Sequence, residues 1–298
     1  MKYAINIIYT KTQRRSIKIE KNLKTALVLS SGAMMGSYQC GVLKALREHD
    51  IEFDLVVGSS AGAYNGVRYL SNQMDICERI YVDDLTNGRF VVKKNFFIPG
   101  RNFMDLDYLV DEICNLKSRL IDIEEVLRSK SEFYITALEL DTLTTRSFDA
   151  KKHDILMLLK ATAAVPYAYP KKVFIDGKRY IDGGMLEPIP IKKAIEFGCN
   201  RIYVVLNTVT KNGEESKPNK ILSILPGKLP KVMIEHGRIK RKMEDFLYQT
   251  HDGINIVVIR PKKPIPATRF TTDREIIQRC VDIGYGDGQN LAKREFGK

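Results

Sequence analysis

The chain has 298 residues, of which 44% are hydrophobic, 28% charged and 9% aromatic. That is enough for one large α/β domain with a buried core, or two modest ones, and no apolar run approaches the roughly 20 residues that span a bilayer. The net charge of +12 attracts polyanions, whether nucleic acid, anionic lipid headgroups or acidic substrates, and does not choose among them. Five scattered cysteines (Cys40, Cys77, Cys114, Cys199 and Cys280) show no Cys-x-x-Cys spacing. This argues against a zinc site or a disulfide framework and fits a reduced, cytoplasmic protein. The N-terminus has a short apolar stretch followed by basic residues, without the long apolar core and small-residue cleavage site of a signal peptide. No internal repeat and no Pro/Gly/Ser linker interrupts the sequence, which favours one domain.

In chain order, residues 2–8 and 16–20 read as peripheral strands. "TALVLS" (25–30) is a short buried strand, followed by a small-residue loop and a helix from about Ser37 to His49. "DLVVGS" is the next strand, with a helix after Gly62. Strand–helix alternation at this pitch predicts an α/β fold with three layers, a mostly parallel central sheet covered by helices on both faces. Residues 72–130 read as largely helical around a loop, "KKNFFIPGRNF". "EFYITALELD" alternates as a strand and "TTRSFDA" pairs with it as a hairpin. "HDILMLLKATAAV" is a helix stopped before Pro166, and "VFIDGKRYIDGG" is a hairpin turning at Asp176-Gly177. A short helix ends at Gly198. "RIYVVLN" and "INIVVIRP" are buried strands flanking a long basic helix, about Pro230–Gln249. The last helix starts at Thr272, where Thr-Asp-Arg-Glu makes a capping box with Glu275.

Three segments carry candidate chemistry. The first is Gly-x-Ser-x-Gly at Gly58–Gly62, between an apolar strand and a helix. A serine there sits on a strained turn whose small neighbours let strand and helix approach closely, and the helix N-terminus favours developing negative charge. A plain glycine-rich strand-to-helix turn would have the same composition. The second is "LVLSSGAMMGSYQCGVLKAL" (27–46), whose loop from Ser30 to Gly36 can aim backbone N–H groups at a phosphate or an oxyanion. No Lys-Ser/Thr follows its last glycine, so it is not a Walker A loop. The third is Asp182-Gly183-Gly184, which reads equally as an ordinary turn. If Ser60 is a nucleophile, its proton acceptor is not evident among four histidines, which all read as surface or core residues. Only His236 and His251 come in the chain order of a Ser…Asp…His triad.

Together these segments resemble the patatin-like phospholipases, which carry a Gly-rich oxyanion loop, then Gly-x-Ser-x-Gly, then Asp-Gly-Gly or Asp-Gly-Ala. The flanks "SYQCGVLKAL" and "ATAAVPYAYP" are similar to the family's, and "TTDREIIQRCVDIGYGDG" looks like the tail of a bacterial subgroup. The resemblance covers roughly residues 25–210. It implies an N-terminal extension (1–24), a catalytic core (25–210) and a C-terminal extension packed on it (211–298). It also implies a Ser–Asp dyad: Ser60 as nucleophile, Asp182 as general base, an oxyanion hole from Ser31, Gly32, Ala33 and Met34, an elbow at Gly58 and Gly62, and a turn at Gly183 and Gly184. The implied activity is lipid acyl hydrolysis through an acyl-enzyme, with a lipid ester or phospholipid as substrate and no metal or organic cofactor. A free Asp is a weak base at a pKa of about 3.9, and burial would raise it.

The family's loop usually reads Gly-Gly-Gly-x-Arg-Gly, whereas this chain has Ser31, Gly32, Ala33, Met34, Met35 and Gly36. Backbone donors survive that change, but a positive φ at Ser31 or Ala33 would be strained. The alternative is therefore a weakened or inactive lipid-binding scaffold. The long basic helix, with Val232, Ile239, Met243 and Phe246 on its apolar side, fits a core-packed helix with a solvated basic face. Its charge would also suit peripheral contact with an anionic membrane. Nucleic-acid binding has only net charge in its favour, with no helix-turn-helix, zinc-finger or RRM signature, and is not expected.

Overall fold

The computed structural model describes residues 23–98, 100–209 and 228–298, without the side chains of Phe96, Phe97 and Lys228. The two expected strands before residue 21 therefore lie outside the described residues. The first half of the fold runs β1 (Thr25–Leu29), α1 (Gly36–Glu48), β2 (Leu55–Ser59), α2 (Ala61–Leu70), α3 (Met74–Arg79), α4 (Ile123–Arg128), β3 (Glu132–Glu139) and β4 (Thr144–Asp149). It continues through α5 (Ile155–Ala163), β5 (Val173–Ile175), β6 (Lys178–Asp182), α6 (Ile191–Glu196), β7 (Arg201–Val205), α7 (Lys228–Leu247), β8 (Asn255–Ile259) and α8 (Arg274–Leu291).

Short apolar runs at β1, β2 and β7 are buried on both faces, as a parallel sheet flanked by helices requires. β1 pairs in parallel with β2 on one side and β7 on the other, and β8 extends the sheet beyond β7. β3 joins β2, also in parallel. Alternation divides the core. Leu27, Leu29 and Val56 face a cluster that takes in α1, α2, α5 and α8. Ala26, Val28, Leu55 and Val57 face another that takes in α6 and the apolar side of α7. This is the expected three-layer α/β fold. Among the described residues no helix is long and apolar enough to cross a membrane.

The feature that positions the site is the crowded edge of β3. β4 pairs antiparallel with Tyr134–Glu139. Since a strand has two edges, β2 and β6 must share the other one. β2 runs along it until Ser59 lies opposite Thr136. β6 runs the opposite way along the same edge and ends with Asp182 opposite Ala137. The two strands thus meet end to end, and the residues that follow them, Ser60 and Gly183, leave the sheet at one point.

Residues 72–130 are helical in short pieces, as their reading implied: α3 and α4, wider helical segments at Ile80–Asp84 and Tyr108–Glu112, and tight ones at Lys93–Phe97 and Ile113–Asn115. Gly88 and Gly100 adopt positive φ there, a conformation that ends a right-handed helix. Apolar Phe90 and Met104 bury themselves from backbone outside these helical pieces. α8 is capped by Asp273, whose carboxylate accepts the Ile276 N–H at 2.9 Å, and not by Thr272. Aspartate outranks threonine at an N-cap, so the start shifts by one residue. The hairpin turn at Asp176-Gly177 has positive φ at both residues, 50° and 74°, as a type I′ turn requires. α7 buries Val232 and Leu247 and exposes Lys231, Arg238, Arg241 and Lys242, which is the core-packed arrangement with a solvated basic face.

Candidate active site

β2 delivers the chain into a sharp turn at Ser60, where φ is 53° and ψ is −123°. Such a conformation costs a non-glycine residue about 1–3 kcal/mol and persists only where its surroundings impose it. Two constraints do so. A Cβ on Gly62 would press into the Leu29 carbonyl, and one on Gly58 would lie 2.6 Å from Gly62, so both positions need glycine for α2 to pack this close to β1 and β2. The Ser60 N–H is also tied down, donating to Thr162 Oγ1 at 2.8 Å. Thr162 passes the restraint on, its hydroxyl donating to the Thr136 carbonyl at 2.6 Å. This β3 carbonyl lies where β2 and β6 meet.

Asp182 comes from the other direction. Its N–H donates to the Ala164 carbonyl at 3.1 Å and its carboxylate accepts the Gly184 N–H at 2.6 Å. A side chain on Gly184 would meet Ser31 of the facing loop at 2.7 Å. The Ser60 hydroxyl is near enough to the Asp182 carboxylate to favour its ionised form. Ser60 and Asp182 are 6% and 5% exposed. Burial raises the Asp182 carboxyl from 3.8 to about 6, against the opposing pull of the Ser60 hydroxyl, the Gly184 hydrogen bond and the Arg269 charge. The carboxylate is therefore a better base than a free aspartate, yet ionised at neutral pH.

The loop after β1 lines the same cleft of about 250 Å³, through Ser31, Gly32 and Ala33. Its N–H groups have different fates. Ser31 donates to the Pro188 carbonyl at 2.9 Å and Met34 to the Arg269 carbonyl at 3.4 Å. Among the described residues nothing accepts the Gly32 or Ala33 N–H. Ala33 has a φ of 48°, so the alanine at this loop position occupies the left-handed region, while Ser31 does not. An apolar cavity of about 50 Å³ adjoins the cleft at Ala33, Ser60 and Met104, and extends past Met34, Ile80 and Leu109.

No histidine among the described residues bonds Ser60 or Asp182. His49 bonds Gln289, His153 the Asp149 carbonyl and His251 the Phe246 carbonyl. His236 does line the cleft, but its Nδ1 lies 3.2 Å from the Met185 carbonyl. That nitrogen therefore carries the proton, leaving Nε2 to accept from Arg269 Nη2 at 3.3 Å. Burial, followed by the Arg269 charge, holds the imidazole below the usual histidine range.

Sequence reasoning misses Thr162, Asn207 and Arg269 as residues of the site, and points to His236 only as a triad base. Thr162 left one trace, a lone hydroxyl in the alanine-rich "KATAAV". Arg269 sits in a loop with no pattern of its own.

A serine at a strained strand-to-helix elbow, a buried aspartate ending an antiparallel strand and a loop with unpartnered N–H groups thus line one cleft of this α/β fold. The chain belongs to the patatin-like phospholipase family, whose model matches residues 27–195, more than half of its length. Among its relatives is the uncharacterized protein YjjU of Escherichia coli, 27% identical over 256 residues that cover 81% of this chain and 70% of that protein. Another is the uncharacterized NTE family protein Rv1063c of Mycobacterium tuberculosis, 25% identical over 65% of this chain. The chain spans about half, 51%, of that mycobacterial relative. Among solved structures, VipD from Legionella pneumophila superposes over 90% of this chain and 66% of its own with a TM-score of 0.45 and 11% identity.

Proposed function

We propose that the protein is a serine lipid acyl hydrolase working through a Ser60–Asp182 dyad. The observation that carries this reading is the end-to-end meeting of β2 and β6, which sets the Ser60 hydroxyl against a buried carboxylate. Ser60 Oγ attacks the ester carbonyl and its proton passes to Asp182. The tetrahedral oxyanion takes hydrogen bonds from the Gly32 and Ala33 N–H groups, whose lack of internal partners supports that role. Collapse expels the alcohol, which takes its proton from Asp182. Water, deprotonated by the same carboxylate, then attacks the acyl-enzyme, and Ser60 recovers its proton as the fatty acid leaves. The apolar cavity beside Ser60, about 50 Å³, suits the first carbons of an acyl chain.

Intact-mass analysis after treatment with a fluorophosphonate tests the dyad. A single adduct on Ser60, absent in Ser60→Ala and strongly slowed in Asp182→Asn, is expected. A folded protein that takes no adduct, with or without lipid vesicles, would mean a lipid-binding scaffold instead. The exposed basic face of α7 supports docking on anionic lipid. Equal co-sedimentation with neutral and anionic vesicles at low salt would remove that part of the reading.

A further inference from the structure

Beside the end of the loop after β1, at Met35, lies a cleft of about 470 Å³. Most of its walls come from residues beyond the family match. Lys240, Arg241 and Arg269 bring three cations to it, against one carboxylate, Glu244. That carboxylate is already engaged, 3.1 Å from Arg260 and 3.7 Å from Lys240. Arg269 makes no ion pair among the described residues. Its guanidinium is steadied by neutral His236, and its carbonyl accepts the Met34 N–H of the oxyanion loop. Lys240 Nζ donates to Thr208 Oγ1 at 3.1 Å, and burial pulls its ammonium below the usual lysine range. An anion beside it would offset that desolvation.

A second observation points to a ligand. Asn207 is 3% exposed, and its Nδ2 donates to the Ser31 carbonyl at 3.3 Å. Its Oδ1 is buried with no partner among the described residues. An orphaned buried acceptor of this kind is uncommon, and Asn207 lines the cleft. A ligand hydroxyl would satisfy it once the side chain turns toward the cleft, since the atom itself is closed to solvent. Arg269 and His236 also line the cleft that holds Ser60 and Asp182, so the two spaces share a wall.

We infer that this cleft is a phosphate-ester site, with Arg269 and Lys240 taking the phosphate and Asn207 Oδ1 taking a neighbouring hydroxyl, so that the C-terminal segment selects a phosphorylated headgroup for the ester held at Ser60. The role in turnover rests on the ester-hydrolase reading, whereas the site itself does not.

Two measurements separate them. In the first, wild type, Arg269→Gln and Lys240→Gln are assayed on dihexanoyl phosphatidylglycerol and on dihexanoylglycerol, which carries the same acyl chains without phosphate. The ratio of the two kcat/KM values is expected to favour the phospholipid in the wild type and to fall about tenfold or more in each variant, the scale of a lost charge-assisted hydrogen bond. A ratio that does not change, with the proteins folded by circular dichroism, overturns the inference. A purely structural role would move both substrates together. In the second, Ser60→Ala protein is titrated calorimetrically with glycerol 3-phosphate and with inorganic phosphate. Binding of glycerol 3-phosphate that is weakened by Arg269→Gln supports the site even if no ester is hydrolysed. Inorganic phosphate binding as tightly, without phospholipid preference, would mean a free-phosphate site and overturn the headgroup assignment. No binding of either overturns the site.

Discussion

Replacing Asp182 by asparagine should remove activity and stabilise the fold in a pH-dependent way. The amide keeps the geometry, since its oxygen still accepts the Gly184 N–H and its NH2 group faces the Ser60 hydroxyl. What changes is the charge. Burial raises the native carboxyl from 3.8 to about 6, so the folded state holds this proton more tightly than the unfolded chain. A raised native pKa contributes stability that is fully present below the unfolded value and lost as pH rises through the native one. That difference corresponds to about 3 kcal/mol by pH 8, of which about 1 kcal/mol is already lost at pH 4.5. Urea denaturation of both proteins at pH 4.5 and pH 8 reads the difference. The advantage of Asp182→Asn over wild type should grow by about 2 kcal/mol across that interval. A stability difference that stays constant with pH, or shrinks, would refute the claim that Asp182 is a desolvated base.

The same ionisation governs turnover: the rate should rise with pH through an apparent pKa near 6, reached in a kcat/KM profile on a neutral ester, and a rate independent of pH between 5 and 7 would count against Asp182 as the base. Because Ser60 holds a φ of 53°, Ser60→Gly should be more stable than Ser60→Ala by about 1 kcal/mol in urea, the relieved strain exceeding glycine's greater unfolded-state entropy. Equal or reversed stabilities would show the turn to be unstrained. Thr162→Val leaves the Ser60 N–H buried without a partner, which should cost about 1–3 kcal/mol and slow fluorophosphonate labelling about tenfold, with Thr162→Ser restoring most of both. An unchanged labelling rate would make Thr162 a packing residue only.

Much of the architecture could be read from local pattern. Runs such as Ala26–Leu29, Leu55–Val57 and Ile202–Val205 are short, apolar and β-rich, and in such runs every side chain has to be buried. That identifies strands of a helix-covered parallel sheet without reference to any partner. Asp176-Gly177 announced its hairpin because few other pairs tolerate positive φ twice in succession. The stretch from residue 72 to 130 is helical, but in short pieces of different pitch, and where each piece ends depends on its packing against the sheet. The N-cap at Asp273 differed from expectation because two cap-forming residues stood side by side, and hydrogen-bond geometry chose between them.

The sequence by itself determined the elbow at Ser60, since strand, glycine spacing and helix lie within a few residues and obey short-range sterics. It also determined the order of the three segments that mark the family. Only the tertiary structure decided that Asp182 faces that serine. This depends on β6 running back along the edge of β3 that β2 vacates, which brings together the ends of two strands more than a hundred residues apart in the chain. It likewise decided that Thr162 anchors the Ser60 amide, that Ala33 takes the positive φ while Ser31 does not, and that Arg269 and Lys240 come beside the loop from the C-terminal segment. None of these leaves a periodic trace, because each depends on where separate elements pack and not on what any one of them needs alone.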